Sequence, residues 1–129
     1  MMVIVYILAG IVTLILALQL FVRLQSKLKK GKPVEGLTGN LGSAVRRGGK
    51  VLVYFFSPTC AACRQQTPVI DNLQRGSSNI FKIDVSRDAS TALKLGVMGT
   101  PSTVIIHNGI IKEFFMGYVS KEKIDNSLQ

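Results

Sequence analysis

The chain has 129 residues, 47% of them hydrophobic, and 16 Lys/Arg against 7 Asp/Glu give it a net charge of +9. That length allows one compact domain and little more. The charge alone would admit a nucleic-acid partner, but no aromatic–basic interleaving and no nucleic-acid module accompanies it, so nucleic acid is set aside.

The apolar excess sits at the front. From Met1 to Val22 no side chain is charged, and only Tyr6, Thr13 and Gln19 interrupt the run. About 20 residues at ~1.5 Å rise cross the roughly 30 Å hydrocarbon core of a bilayer, where a backbone must bond to itself. Residues 1–23 are therefore predicted to form one transmembrane helix. A cleaved signal peptide fits less well, because nothing basic precedes the run and Leu20-Phe21-Val22-Arg23 ends it without small residues. A buried helix, apolar on every face, needs more protein around it than so short a chain supplies.

Arg23, Lys27, Lys29, Lys30 and Lys32 follow directly. Such a cluster attracts anionic headgroups, so the expected partner is a lipid bilayer. Its placement favours a single-pass protein with a cytoplasm-facing domain, the outward-facing orientation being the alternative. Residues 24–39 read as a basic juxtamembrane segment and linker, broken by Gly31-Lys32-Pro33, and a domain is expected over 40–129.

Within that domain a short helix is expected over Leu41–Arg47, closed by Gly48-Gly49. Val51-Leu52-Val53-Tyr54-Phe55-Phe56 reads as a strand buried on both faces. Ser57 or Thr59 is expected to cap the next helix, which runs to about Gly76 and is kinked at Pro68. A second strand is predicted over Asn79–Val85 and a short helix over Asp88–Leu95. Two strands, Thr103–His107 and Ile110–Met116, flank Asn108-Gly109, a strong hairpin signal. Ser120 caps a last helix through Leu128. The order implies an α/β fold with a mixed sheet flanked by helices.

Two cysteines, Cys60 and Cys63, stand at the start of the second of these helices. There the unpaired N–H groups and the helix dipole favour a thiolate, which makes Cys60 the expected nucleophile. Cys63 lies one turn deeper, within reach of a disulfide, and is the expected resolving thiol. Other uses of the pair are weaker. It supplies half of a zinc site, but the chain has no further cysteine and one histidine, His107, which reads as an ordinary edge residue. A structural disulfide closing so short a loop would stabilise little. No metal and no cofactor is expected.

Cys60-Ala61-Ala62-Cys63, Pro68, the stretch Thr91–Pro101 ending Gly99-Thr100-Pro101, then Asn108-Gly109 and Gly117 together resemble the thioredoxin family from about Leu41 to Leu128. The resemblance implies a thioredoxin-like fold, with Pro101 as a cis-proline packed on the redox disulfide. It also implies that Thr100 offers backbone bonds to a substrate segment, that Met98 and Gly117 border the groove, and that Pro68 kinks the helix. Three departures stand out. Thr59 replaces the tryptophan before the first cysteine, Ala-Ala fills the motif, and Tyr54 takes the place of the buried acid, with Ile80 where its lysine partner is expected. The N-terminal strand is weak or missing.

The function expected is a membrane-anchored thiol–disulfide oxidoreductase acting on protein thiols and disulfides, with a reductase or membrane electron donor as a further partner. The alternative is a membrane-tethered binding module, for a soft metal or a docking protein, without redox turnover.

Overall fold

The computed structural model describes residues 1–129, the Ser26 side chain excepted. Nine elements follow one another: α1 (Met2–Lys29), α2 (Gly39–Arg46), β1 (Lys50–Phe56), α3 (Cys63–Gln74), β2 (Ile80–Asp84), α4 (Ala89–Lys94), β3 (Ser102–His107), β4 (Ile110–Met116) and α5 (Lys121–Leu128). The four strands form one mixed sheet in the order β2-β1-β3-β4. β1 pairs parallel to β2 and antiparallel to β3, and the Asn108-Gly109 turn joins β3 to an antiparallel β4. The α/β expectation is met.

β1 is apolar at every position but its first because the sheet is covered on both sides, and its period of two sorts those side chains into two cores. Val51, Val53 and Phe55 join Val104, Ile106 and Phe114 with Leu41 and Val45 of α2 and Ala92 of α4. Leu52 and Tyr54 join Ile105 with Ile70 of α3 and Ile124 of α5. Gly42 of α2 leaves no room for a Cβ against the Leu37 carbonyl, which seats that helix on the preceding segment.

α1 is long and apolar enough to cross a membrane. At ~1.5 Å per residue its 28 residues reach about 42 Å, and its apolar window has a mean hydropathy of 2.6 with none of it buried. The helix does not stop at Arg23 but runs on through Lys29. Beyond it the chain lies on the outer edge of β4. The Gly31 N–H donates to the Ile111 carbonyl at 2.7 Å, the Ile111 N–H to Lys32 at 3.0 Å, and the Val34 N–H to Gly109 at 2.8 Å. An isolated bridge pairs Pro33 with Ile110. The stretch read from sequence as linker thus shields one sheet edge, and its Leu37 is buried in the core. The Lys29 ammonium reaches the Gly96 carbonyl and lies 4.6 Å from the centroid of the Phe114 ring. Lys30 pairs with Glu113 at 2.6 Å.

Candidate redox site

β1 ends at Phe56, and the turn Ser57–Ala62 carries the chain into α3. Neither Ser57 nor Thr59 caps that helix, as the sequence had suggested: α3 has Ala62 at its N-cap with no side-chain cap. Ser57 Oγ is engaged within its own turn, 3.1 Å from Thr59 Oγ1. The acceptor at the helix start is instead a sulfur. The Cys63 N–H donates to Cys60 Sγ at 3.2 Å, the spacing at which an N-cap serine would accept. With alanines between the cysteines, a backbone N–H takes the place of a side-chain donor, and it favours negative charge on Cys60.

Cys60 and Cys63 are disulfide-paired, with Cα atoms 5.3 Å apart, inside the usual disulfide range. Their environments differ. Cys60 lies half-buried at the rim, whereas Cys63 is 3% exposed. At the same end of the sheet, the Thr100–Pro101 peptide bond is cis and leads into β3. Pro101 is buried and Thr100 half-buried, and the Pro101 carbonyl accepts the Gly117 N–H at 2.9 Å. The topology accounts for this neighbourhood. Phe55, at the end of β1, is directly opposite Ser102, and Ser102 is opposite Met116, so the cysteine turn, Pro101 and the end of β4 share one end of the sheet. An apolar groove at this end is lined by Ser57, Leu93, Val97, Met98, Gly99 and Thr100.

Beneath Cys63 lies Tyr54, fully buried. Its hydroxyl is 2.9 Å from Thr67 Oγ1 and 3.4 Å from the Cys63 carbonyl, to which it donates. Burial pushes the phenol above its ordinary value, more than the Thr67 bond brings it down, so it is protonated at neutral pH. The residue opposite Tyr54 on β2 is Lys82; Ile80 pairs with Leu52. This corrects the position assigned to the lysine from sequence by two residues. Lys82 forms an ion pair with Asp71 of α3 at 2.6 Å, so a carboxylate does approach from the helix rather than from β1.

Sequence reasoning missed Gln66, which is fully buried one turn after Cys63 and bonds the backbone of Val119. A glutamine on a helix reads as solvent-facing until a distant loop is brought against it. His107 lies at the other end of β3 from Pro101 and pairs across the sheet with Lys50 and Ile110, away from the cysteines.

A family model described as Thioredoxin matches residues 34–129. A thioredoxin of Bacillus subtilis (strain 168) is 34% identical over 85 residues, covering 64% of this chain and 82% of its own. One from Listeria monocytogenes is 36% identical over 80 residues, 60% of this chain and 78% of its own. Among solved structures, a mutant thioredoxin from Halobacterium salinarum NRC-1 superposes with a TM-score of 0.64 at 25% identity, covering 78% of this chain and 88% of the other.

Proposed function

Because the chain belongs to the thioredoxin family of thiol–disulfide oxidoreductases, we propose that Cys60 is its attacking thiol, Cys63 its resolving thiol, and a membrane its platform. The observation that carries the redox roles is the asymmetry of the pair: the sulfur at the rim accepts the helix N–H, and the other is buried. The reduced Cys60 thiolate attacks one sulfur of a protein disulfide. That bond breaks, its electron pair leaves on the second target sulfur, which takes up a proton, and a mixed disulfide forms. The Cys63 thiolate then attacks Cys60 Sγ and releases the first target sulfur. The target has gained two electrons, and Cys60–Cys63 is left as the disulfide. The reverse sequence oxidises a target dithiol, and the redox poise of the compartment sets the direction.

Thr100 and Pro101 form the wall against which a substrate segment lies, Thr100 through its backbone. The membrane anchor rests on the length and hydropathy of α1 and on the five cations that follow Val22. Those cations favour a cytoplasmic domain, kept reduced there by a dithiol donor. The test is a pair of variants in the full-length protein. Cys60→Ser is expected to abolish reduction of protein disulfides, and Cys63→Ser to accumulate mixed disulfides visible on non-reducing gels. Turnover retained in Cys60→Ser overturns the assignment.

A further inference from the structure

The anchor helix and the redox turn lie on the same end of the domain. The chain after α1 runs antiparallel to β4, with Gly31 and Lys32 bonded to Ile111 and Lys30 paired with Glu113. Followed backwards, α1 therefore travels along β4 toward Met116. From Lys30 to Arg23 it advances about 10 Å at ~1.5 Å per residue, and β4 covers about 10 Å from Glu113 to Met116 at ~3.3 Å per residue. The first charged residue of the chain, Arg23, thus draws level with the end of β4. A single crevice bears this out, since its lining includes Leu20, Arg23 and Lys27 from the helix together with Met116, Tyr118 and Val119. Val119 is the residue that Gln66 grips, one turn from Cys63, and Met116 lies opposite Ser102, next to Pro101.

The join is not a free tether. Lys29 on Gly96 and Phe114, Lys30 on Glu113 and the backbone bonds of residues 31–34 fix the helix to the domain. Of the large apolar side chains exposed outside α1, Met98 at 79%, Leu93 at 73% and Tyr118 at 54% belong to the groove or the crevice at this same end.

From these placements we infer that the domain is held with its Cys60 end toward the bilayer, and that its substrates are disulfides of proteins embedded in the same membrane, presented at headgroup level. The inference rests on the membrane anchor and redox pair proposed above. The exchange is the same two-electron step, with the partner's disulfide sulfurs as acceptor. A soluble protein would have to enter between the domain and the headgroups to reach Cys60. A membrane-embedded partner approaches laterally and is already confined to the surface that the site faces.

The chain contains no tryptophan, so a single introduced one is a clean depth reporter. The full-length protein is reconstituted in phosphatidylcholine–phosphatidylglycerol vesicles carrying lipids brominated near the headgroup or at the chain ends. Three variants are compared: Tyr6→Trp in α1, Met98→Trp at the redox end, and Ile110→Trp at the hairpin end. The expected result is loss of Tyr6→Trp fluorescence with chain-end bromines, loss of Met98→Trp fluorescence with headgroup-proximal bromines, and no loss for Ile110→Trp. Tyr6→Trp left bright by both lipids would overturn the anchor and this inference together. Tyr6→Trp quenched while Met98→Trp stays bright, or while Ile110→Trp is also quenched, overturns the orientation and leaves the anchor standing.

The substrate class is read separately, as single-turnover reduction of a disulfide loop on a transmembrane peptide in the same vesicles. A loop at headgroup level is expected to react at least about tenfold faster than the same loop raised on a rigid helical spacer, because matched geometry raises the effective concentration in a tethered reaction. Equal rates, or faster reaction of the raised loop, overturn it; reaction of neither, with Met98→Trp still quenched, counts against the redox pair itself.

Discussion

Gln66 holds Val119 by both ends of its amide: Nε2 donates to the Val119 carbonyl at 3.1 Å, and Oε1 accepts the Val119 N–H at 2.7 Å. The contact ties α3, three residues after Cys63, to the loop between β4 and α5. Replacing the amide with an apolar side chain strands two buried backbone groups at once. Gln66→Leu is therefore expected to lower stability by about 2–6 kcal/mol, at 1–3 kcal/mol for each unsatisfied group, read as a fall in the urea midpoint. An unchanged midpoint would mean that the loop finds other partners.

Thr103 presents the opposite case. It is fully buried on β3, between Tyr54 and Phe115, and among the described residues its hydroxyl is the buried side-chain oxygen without a hydrogen-bond partner. Thr103→Val keeps the branched shape and removes the unpaired group. A rise in stability of roughly 1 kcal/mol is expected, again from the urea midpoint, and a loss of that size would show that the hydroxyl is satisfied in solution.

The acid limb of stability has an identifiable contributor in Asp88. As N-cap of α4 its carboxylate accepts from Thr91 Oγ1 at 2.7 Å and from the Thr91 N–H at 3.1 Å. These two bonds, the side-chain one first, hold the carboxyl below its ordinary value of 3.8. A carboxylate depressed in the folded state stabilises fully above the unfolded value and loses that contribution as pH falls through the folded one. Asp88→Ala should therefore cost about 1 kcal/mol at neutral pH, the usual worth of a cap. The gap between the two proteins should narrow as denaturation is repeated at pH values below 3.8. A gap that is constant with pH would remove Asp88 from the acid limb.

The legible parts of this chain were those where one residue type has one strong local use. The unbroken apolar run Val51–Phe56 pointed to a doubly covered strand, Asn108-Gly109 to a hairpin, and two cysteines at a helix start to a pair within disulfide reach. What stayed hidden depended on register and on partners far away in sequence. The cation opposite Tyr54 is Lys82 because β1 and β2 pair with Leu52 against Ile80, a choice that the apolar pattern of β2 does not specify. Residues 31–34 carry glycine, lysine and proline and read as linker, yet their backbone finds the open edge of β4. Gln66 and the sulfur that receives the Cys63 N–H belong to the same class: polar groups whose partners exist only once the chain has folded.

That sulfur also yields the most direct chemical test. Once the disulfide is reduced, the two thiols differ in access and in electrostatics. Cys60 is half-buried at the rim with an N–H aimed at its Sγ from 3.2 Å, whereas Cys63 is 3% exposed, above the Tyr54 hydroxyl that donates to its carbonyl. The thiolate is the form that alkylates, and a donor held on sulfur favours it. Brief treatment of the reduced protein with iodoacetamide, followed by peptide mapping, should find Cys60 modified and Cys63 still free. Unfolding in urea should make the two rates converge, because both the donor and the burial are products of the fold. If Cys63 reacted first in the native protein, the proposed attacking and resolving roles would have to be exchanged.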